Sequence, residues 1–190
     1  MLFTPTKLKN AYLIEPKKLE DERGFFARTW CEKEFRDRGL NPNVVQCNIS
    51  FNHKRGTVRG MHLQIAPFAE AKLVRCTQGA IYDVIVDLRP DSPTYKQWLG
   101  VELNPTNRQA LYVPEGFAHG FQTLADNTEV FYQMSQFYAP ECARGFRWND
   151  SNFNIAWPLP VSVISTKDLN LEDYAPFESR SSSRSFNHNK

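Results

Sequence analysis

The 190-residue chain predicts an all-β fold, a sandwich or a barrel. Three features point there. Short apolar runs recur with turn residues between them, at Trp98–Leu103, Ala110–Val113, Phe121–Leu124 and Val130–Tyr138. Within Ala80–Leu88, Tyr82, Val84, Val86 and Leu88 alternate with Ile81, Asp83, Ile85 and Asp87, the period of a strand. A single stretch, Glu32 to Arg38, reads as a short, charged helix, and Gly39 stops it.

Taken in order, Ala11 to Ile14 is a short strand, and Asp21-Glu22-Arg23-Gly24 is a turn leading into a strand from Phe25 to Trp30. After the helix, Val44 to Phe51 is a strand that ends in an exposed turn at Asn52 to Lys54. Arg55 to Gln64 follows as a strand entered by a tight turn. Ala71–Thr77 and Ala80–Leu88 flank Gln78-Gly79, a hairpin signal. Arg89-Pro90-Asp91-Ser92-Pro93 is a loop, and the run of short strands named above completes the fold. No repeat of solenoid period is visible. Residues 1–178 are expected to form one domain, and Ser179 to Lys190, rich in Ser, Arg and Asn, a disordered tail.

Composition narrows the function classes. At 41% hydrophobic residues the chain suits a soluble domain with a sizeable core. A net charge of +2 implies no affinity for nucleic acid. Cys31, Cys47, Cys76 and Cys142 have no Cys-x-x-Cys spacing, and Met1 to Lys9 lack the apolar stretch of a signal peptide. Reduced thiols in the cytoplasm are therefore expected. No run approaches the roughly 18 apolar residues of a membrane span.

Three stretches carry candidate chemistry. In Arg55-Gly56-Thr57-Val58-Arg59-Gly60-Met61-His62-Leu63-Gln64, strict alternation puts Arg55, Thr57, Arg59, Met61 and Leu63 on one face, with His62 and Gln64 on the other. A bulge at Gly60 would re-aim Arg59 beside His62. Two guanidiniums, an imidazole and a carboxamide are costly in a pure core strand. Tyr112 to Phe121 holds a Pro-x-Gly turn, then His119 and Gly120. The two His suggest two strands facing one pocket. Lys72-Leu73-Val74-Arg75 reads as a strand carrying cations on one face.

Pro114-x-Gly116-x-x-His119 resembles the second motif of the cupin, or double-stranded β-helix, folds, where that His often binds metal. The first cupin motif supplies His-x-His and a later Glu, but here the matching place reads His62-Leu63-Gln64. Two His without a third nitrogen or carboxylate donor make a poor Zn or Fe site, so neither a metal nor another cofactor is expected.

Several motifs in one order go further. Asp21 to Phe26, Gln46-Cys47-Asn48, Gly56 to His62, Lys72 to Arg75, Gly79 to Leu88, Pro114 to Phe121, Tyr132, Tyr138-Ala139-Pro140-Glu141 and Lys167-Asp168 together resemble the dTDP-4-dehydrorhamnose 3,5-epimerase family. The likeness runs from about residue 5 to 170. It implies a cupin-type jelly roll with a few short helices, and a homodimer. It also implies a nucleotide diphosphate 4-keto-6-deoxyhexose as substrate. The C4 ketone acidifies the protons on C3 and C5. A base removes one, an enolate forms, and an acid returns a proton on the opposite face.

His62 suits the base, since imidazole titrates near neutral pH. The resemblance implies Asp168 as the carboxylate that orients His62, Tyr132 as the acid and Lys72 as the group that stabilises the enolate oxygen. His119 would hydrogen-bond the sugar. Arg23 and Arg59 would clamp the diphosphate. Gln46 and Asn48 would hold nucleotide or sugar, and Phe26, Tyr138 and Lys167 complete the implied substrate-binding set. Without the family order, Tyr132 would read as core and Lys72 as surface. Asp83 could hydrogen-bond a pocket His or close a strand-edge network.

Two positions depart from the family pattern. Arg28 stands in Phe26-Ala27-Arg28-Thr29 where Phe-x-Glu-Thr is expected, and Ala143 precedes Arg144-Gly145 where the family often has Glu. The resemblance therefore implies epimerase chemistry and leaves the nucleotide open between dTDP, CDP and GDP. A mono-epimerase and a non-catalytic sugar-binding cupin are the alternatives.

Overall fold

Alternating strands with one apolar face must bury that face against another layer, and two sheets meet that need here. In the computed structural model, which describes residues 1–176, the strands are β1 (Leu2–Pro5), β2 (Tyr12–Glu15), β3 (Lys18–Asp21) and β4 (Gly24–Ala27). Helix α1 (Glu32–Arg36) follows, then β5 (Gln46–Asn52), β6 (Thr57–Gln64), β7 (Lys72–Gln78), β8 (Ile81–Asp87), β9 (Trp98–Leu103) and β10 (Ala110–Val113). The chain continues through β11 (Phe117–Thr123), β12 (Thr128–Met134), β13 (Ala143–Gly145), β14 (Val163–Ile164) and the single-turn helix α2 (Thr166–Leu169). The tail expected at 179–190 lies outside the described residues.

One sheet has the order β1-β2-β10-β7-β12-β5 and the other β13-β6-β11-β8-β9, with β14 parallel beside β6. From β5 to β8 the chain changes sheet at every strand, and again from β9 to β12. The result is an all-β jelly roll. Between the sheets, Val74, Cys76, Leu111, Val113 and Val130 of the first pack on Ile81, Ile85, Leu103, Phe117 and Phe121 of the second. Each such fully buried side chain contributes about 1.5–3 kcal/mol. The outer faces are covered too. Phe35 of α1 packs with Leu73, Ala110 and Tyr112, while Phe146, Phe153 and Tyr174 pack with Met61, Leu63, Val84, Val86 and Ala118.

The Gln78-Gly79 turn is not a hairpin. Strands β7 and β8 lie in opposite sheets, because Val74 and Cys76 meet Ile81 and Ile85 through side chains rather than through a shared ladder. Gly79 has φ +74°, and a Cβ there would sit 2.3 Å from Thr128 Oγ1, so the crossing requires glycine. Other boundaries shift. The strand expected at Phe25–Trp30 ends at Ala27, the helix ends at Arg36, and the strand expected from Phe121 begins at Phe117. Asn52, expected in an exposed turn, is buried as the last residue of β5.

Candidate active site

The interior between the sheets is not apolar throughout. The inward row of β5 is Gln46, Asn48, Ser50 and Asn52, and the inward rows of β7 and β12 carry Lys72 and Tyr132 beside Val74 and Val130. On β8, Asp83 lies between Ile81 and Ile85, and on β11, His119 lies between Phe117 and Phe121. These side chains point inward by strand period alone.

Strand β6 needs one more device, because Arg59 and His62 are three residues apart. Against β11, His119 pairs with His62 and Phe121 pairs with Arg59, so two residues of β6 oppose the single Gly120. This is a β-bulge at Gly60 and Met61. It sends Met61 to the outer core and lets Arg59 and His62 line the same cavity. Gly60 has φ +123°, and a Cβ on it would lie 2.6 Å from Gly120 Cα, so the two glycines face each other out of steric need.

His62 Nε2 lies 2.7 Å from Asp168 Oδ1, and Asp168 Oδ2 accepts the Gly60 amide at 3.2 Å. Ser165 caps α2 by accepting from the Asp168 amide, which fixes the carboxylate's position. Burial pushes the Asp168 carboxyl up, but the hydrogen bond and charge of His62, with help from the Gly60 amide and Lys167, hold it below the ordinary value. The His62 side chain keeps 42% of its surface exposed, and its other ring nitrogen is not engaged by Asp168.

His119 repeats the pattern one strand away, with Nε2 2.7 Å from Oδ1 of the fully buried Asp83. Lys72 Nζ pairs with Glu70 Oε1 at 3.1 Å, both buried. Arg59 is steered by Asn52, whose Oδ1 accepts from its Nε at 2.7 Å. Tyr132 is half-buried, and burial pushes its phenol up; Arg59 pulls it down and Glu70 pushes it up again, for a net rise.

Two cavities, of 480 and 350 Å³, share His62, Tyr132 and Lys167 as common wall. The smaller is lined by Arg59, Lys72, His119 and Asp168, and is the cationic chamber. The larger is lined by Gln46, Asn48, Tyr138, Glu70, Ala143 and Arg144 among others. Gln46 Oε1 accepts the Tyr138 amide at 2.7 Å. Ten of the twelve expected site residues thus converge, those lining these two cavities.

Arg23 and Phe26 do not line either cavity. They sit on the β3–β4 ribbon, where Arg23 is 83% exposed and paired with Asp21, and Phe26 is 69% exposed. The cations of β7 also separate. Lys72 faces the interior, while Arg75, three residues on, faces the opposite side and donates to the Thr29 carbonyl at 3.1 Å. The expectation of a single cationic face on Lys72-Leu73-Val74-Arg75 is therefore corrected by the two-residue period of the strand.

Gln64, where a metal ligand would stand in other cupins, spends its amide on the fold. It donates to the Phe68 and Phe137 carbonyls at 2.9 and 3.1 Å and accepts the Ala139 amide at 2.6 Å. The sequence reading missed Asn52 and Glu70. Asn52 continues the polar alternation Gln46, Asn48, Ser50, and Glu70 stands two residues before Lys72 on the same face, so period-two counting would have found both.

The dTDP-4-dehydrorhamnose 3,5-epimerase family model matches residues 5–175. The chain belongs to this family. It is 43% identical over 170 residues to the dTDP-4-dehydrorhamnose 3,5-epimerase of Shigella flexneri, covering 89% of this chain and 93% of that protein. Among solved structures, the epimerase of Elizabethkingia anophelis superposes with a TM-score of 0.89 at 42% identity, over 92% of this chain and 96% of that one. The Bacillus anthracis epimerase, solved with TDP and pyrophosphate bound, gives 0.87 at 43% identity over 91% and 99%. Family members are isomerases, and the jelly roll with its interior cleft is the frame this epimerase-family chain shares with them.

Proposed function

We propose that this chain epimerises a nucleotide diphosphate 4-keto-6-deoxyhexose of the dTDP-4-dehydro-6-deoxyglucose type at C3, C5 or both. The observation that carries the reading is the placement of His62 and Tyr132. One comes from β6 of the second sheet and the other from β12 of the first, and both line both chambers of the cleft. A base and an acid on opposite walls are what inversion requires.

In this reading His62 takes the proton next to the ketone, and Asp168, kept ionised, stabilises the imidazolium. The electrons move into the C4 carbonyl, and the oxyanion forms near Lys72. Tyr132, held protonated by its raised pKa, returns a proton to the other face. Arg59 takes the diphosphate, His119 and Lys167 the sugar, and Gln46, Asn48 and Tyr138 the nucleoside. The reaction is redox-neutral, so its atoms and electrons balance without a cofactor.

The same proposal includes a homodimer in the cytoplasm. Leu19, Phe25 and Phe26 are exposed on a two-stranded ribbon, apolar surface that a second copy would cover. Arg23 and Phe26 would then serve the neighbouring cleft. The four free thiols suit a reducing compartment, and no helix among the described residues is long and apolar enough to cross a membrane.

The test is incubation with dTDP-, CDP- and GDP-linked 4-keto-6-deoxyglucose in deuterated water, followed by NMR at C3 and C5. Deuterium with inverted configuration supports the reading and names the positions. Neither exchange nor inversion with any of the three overturns it. Ala143 lines the larger chamber where the family often has Glu, so preference for CDP or GDP over dTDP would assign nucleotide selection to that wall.

A further inference from the structure

Glu70 has no part in the mechanism above, yet it is one of the few buried charges among the described residues. It precedes β7, and two-residue spacing puts it on the same face as Lys72. Its Oε1 lies 3.1 Å from Lys72 Nζ, and both side chains are more than nine-tenths buried. Lys72 lines the smaller chamber and Glu70 the larger, so the pair spans the two. Tyr132 lines both.

We propose that Glu70 is a positioning residue of the epimerase site, whose carboxylate holds the Lys72 ammonium toward the ketone oxygen and places a negative charge on the cavity wall it shares with Tyr132. This rests on the acid–base reading above. A buried ammonium needs a counter-charge, and here Glu70 supplies it. The surroundings make a second demand. Arg59 and His62 on β6, Lys72 on β7, His119 on β11 and Lys167 beside Asp168 on α2 all share the smaller chamber with Tyr132, and Arg144 on β13 and Tyr138 line the larger. Of these groups Arg59 draws Tyr132 toward phenolate; burial outweighs it, and Glu70 adds on the side of the phenol. Asp168 is committed to His62 and Asp83 to His119, which among the described residues leaves Glu70 as the carboxylate that shares a cavity wall with Tyr132 and acts on it.

The experiment uses the full chain with Glu70→Gln and Glu70→Asp, following inversion and deuterium exchange of the 4-keto sugar against pH, with thermal unfolding as control. Glu70→Gln keeps shape and an acceptor for Lys72 but removes the charge. Its kcat should fall roughly 10- to 100-fold, the range of one hydrogen bond to a charged group, with a smaller change in KM. Its alkaline limb should move to lower pH, and exchange should outrun inversion more than in the parent. Glu70→Asp keeps the charge but withdraws it by one methylene, so its alkaline limb should stay in place while kcat falls several-fold.

A folded Glu70→Gln with the parent's alkaline limb and the parent's ratio of exchange to inversion overturns the proposal. So does Glu70→Asp with the parent's kcat and a lowered unfolding temperature, and that arm decides alone if Glu70→Gln does not fold. A parent that neither exchanges nor inverts overturns the epimerase reading and this proposal with it. An active parent with an indifferent Glu70→Gln overturns only the role of Glu70.

Discussion

The interior cleft and the β3–β4 ribbon both carry family motifs, and they present them in opposite ways. In the cleft, Asp83, Asp168, Lys72 and His119 are buried, and each is paired with an ionisable side chain at 2.7–3.1 Å. On the ribbon, all four residues of β3 and three of the four in β4 are exposed, and among the described residues Arg23 bonds only to Asp21 two residues away. Cleft residues reach the site because strand period turns them inward between two sheets. Ribbon residues have no such frame, so they act only if another surface meets them. A motif in sequence therefore nominates a residue, and the fold says whether its own chain brings that residue to the cleft.

The largest effects should fall on the two walls of the cleft. His62→Ala removes the proposed base and should cut proton exchange at every position by about 10²–10⁴-fold. Tyr132→Phe keeps the ring and its packing while deleting the donor. Deuterium should still enter through His62 with configuration retained, while the inverted sugar almost disappears. Inversion at the parental rate in Tyr132→Phe would place the acid elsewhere and would break the two-wall picture of the cleft.

Asp168→Asn comes next, and its signature lies in pH. The Asp168 carboxyl is held below its ordinary value in the folded chain, so its ionised form favours folding. That stability is present above the unfolded value of about 4 and is lost as pH falls through the lowered folded value. Asn resembles the protonated acid. The gap in unfolding temperature between parent and Asp168→Asn should thus be widest near neutral pH and should close below about pH 4. A gap that persists unchanged at acid pH would mean that shape rather than charge ties Asp168 to His62.

Much of this was legible in the chain, and the failures have physical causes. Alternation in Ala80–Leu88 identified a strand, which the fold buries on both faces, and Gly60 was readable as the bulge that brings Arg59 beside His62. The turn at Gln78-Gly79 was readable as a turn but not as a crossing, because glycine permits the bend without saying whether the flanking strands share a ladder. Strands β13 and β14, of three and two residues, exist only because β6 offers them an edge, a long-range cause that no local pattern records. Asn52 was read as a turn residue from its neighbours, whereas its partner Arg59 lies across the next strand.

A smaller effect is expected from Arg59→Lys, which separates the anion clamp from mere charge. The guanidinium donates to Asn52 Oδ1 and to the Phe51 carbonyl at 3.4 Å, so the protein holds one edge of the fork and leaves the other for phosphate. An ammonium cannot do both. Affinity for the nucleoside diphosphate should weaken about tenfold, the worth of one charged hydrogen bond, with kcat changed less. Unchanged affinity, measured by calorimetry, would give Arg59 a structural role.

The smallest single-chain effect belongs to Arg23→Ala, and it tests whether the ribbon serves a second copy. Among the described residues Arg23 supports nothing beyond the turn at Asp21, so the unfolding temperature should not move. KM for the nucleotide sugar should rise several-fold if Arg23 is one cation of the proposed diphosphate clamp. Mixed dimers decide the route. In a dimer of Arg23→Ala with His62→Ala, a ribbon that reaches the partner restores one complete site, with His62 from the first chain and Arg23 from the second. Its KM should return to the parental value at half the parental rate. A ribbon that folds back on its own chain restores nothing, and the mixed dimer would keep the raised KM of Arg23→Ala. That outcome would remove the contrast between cleft and ribbon and would make the site the property of one chain.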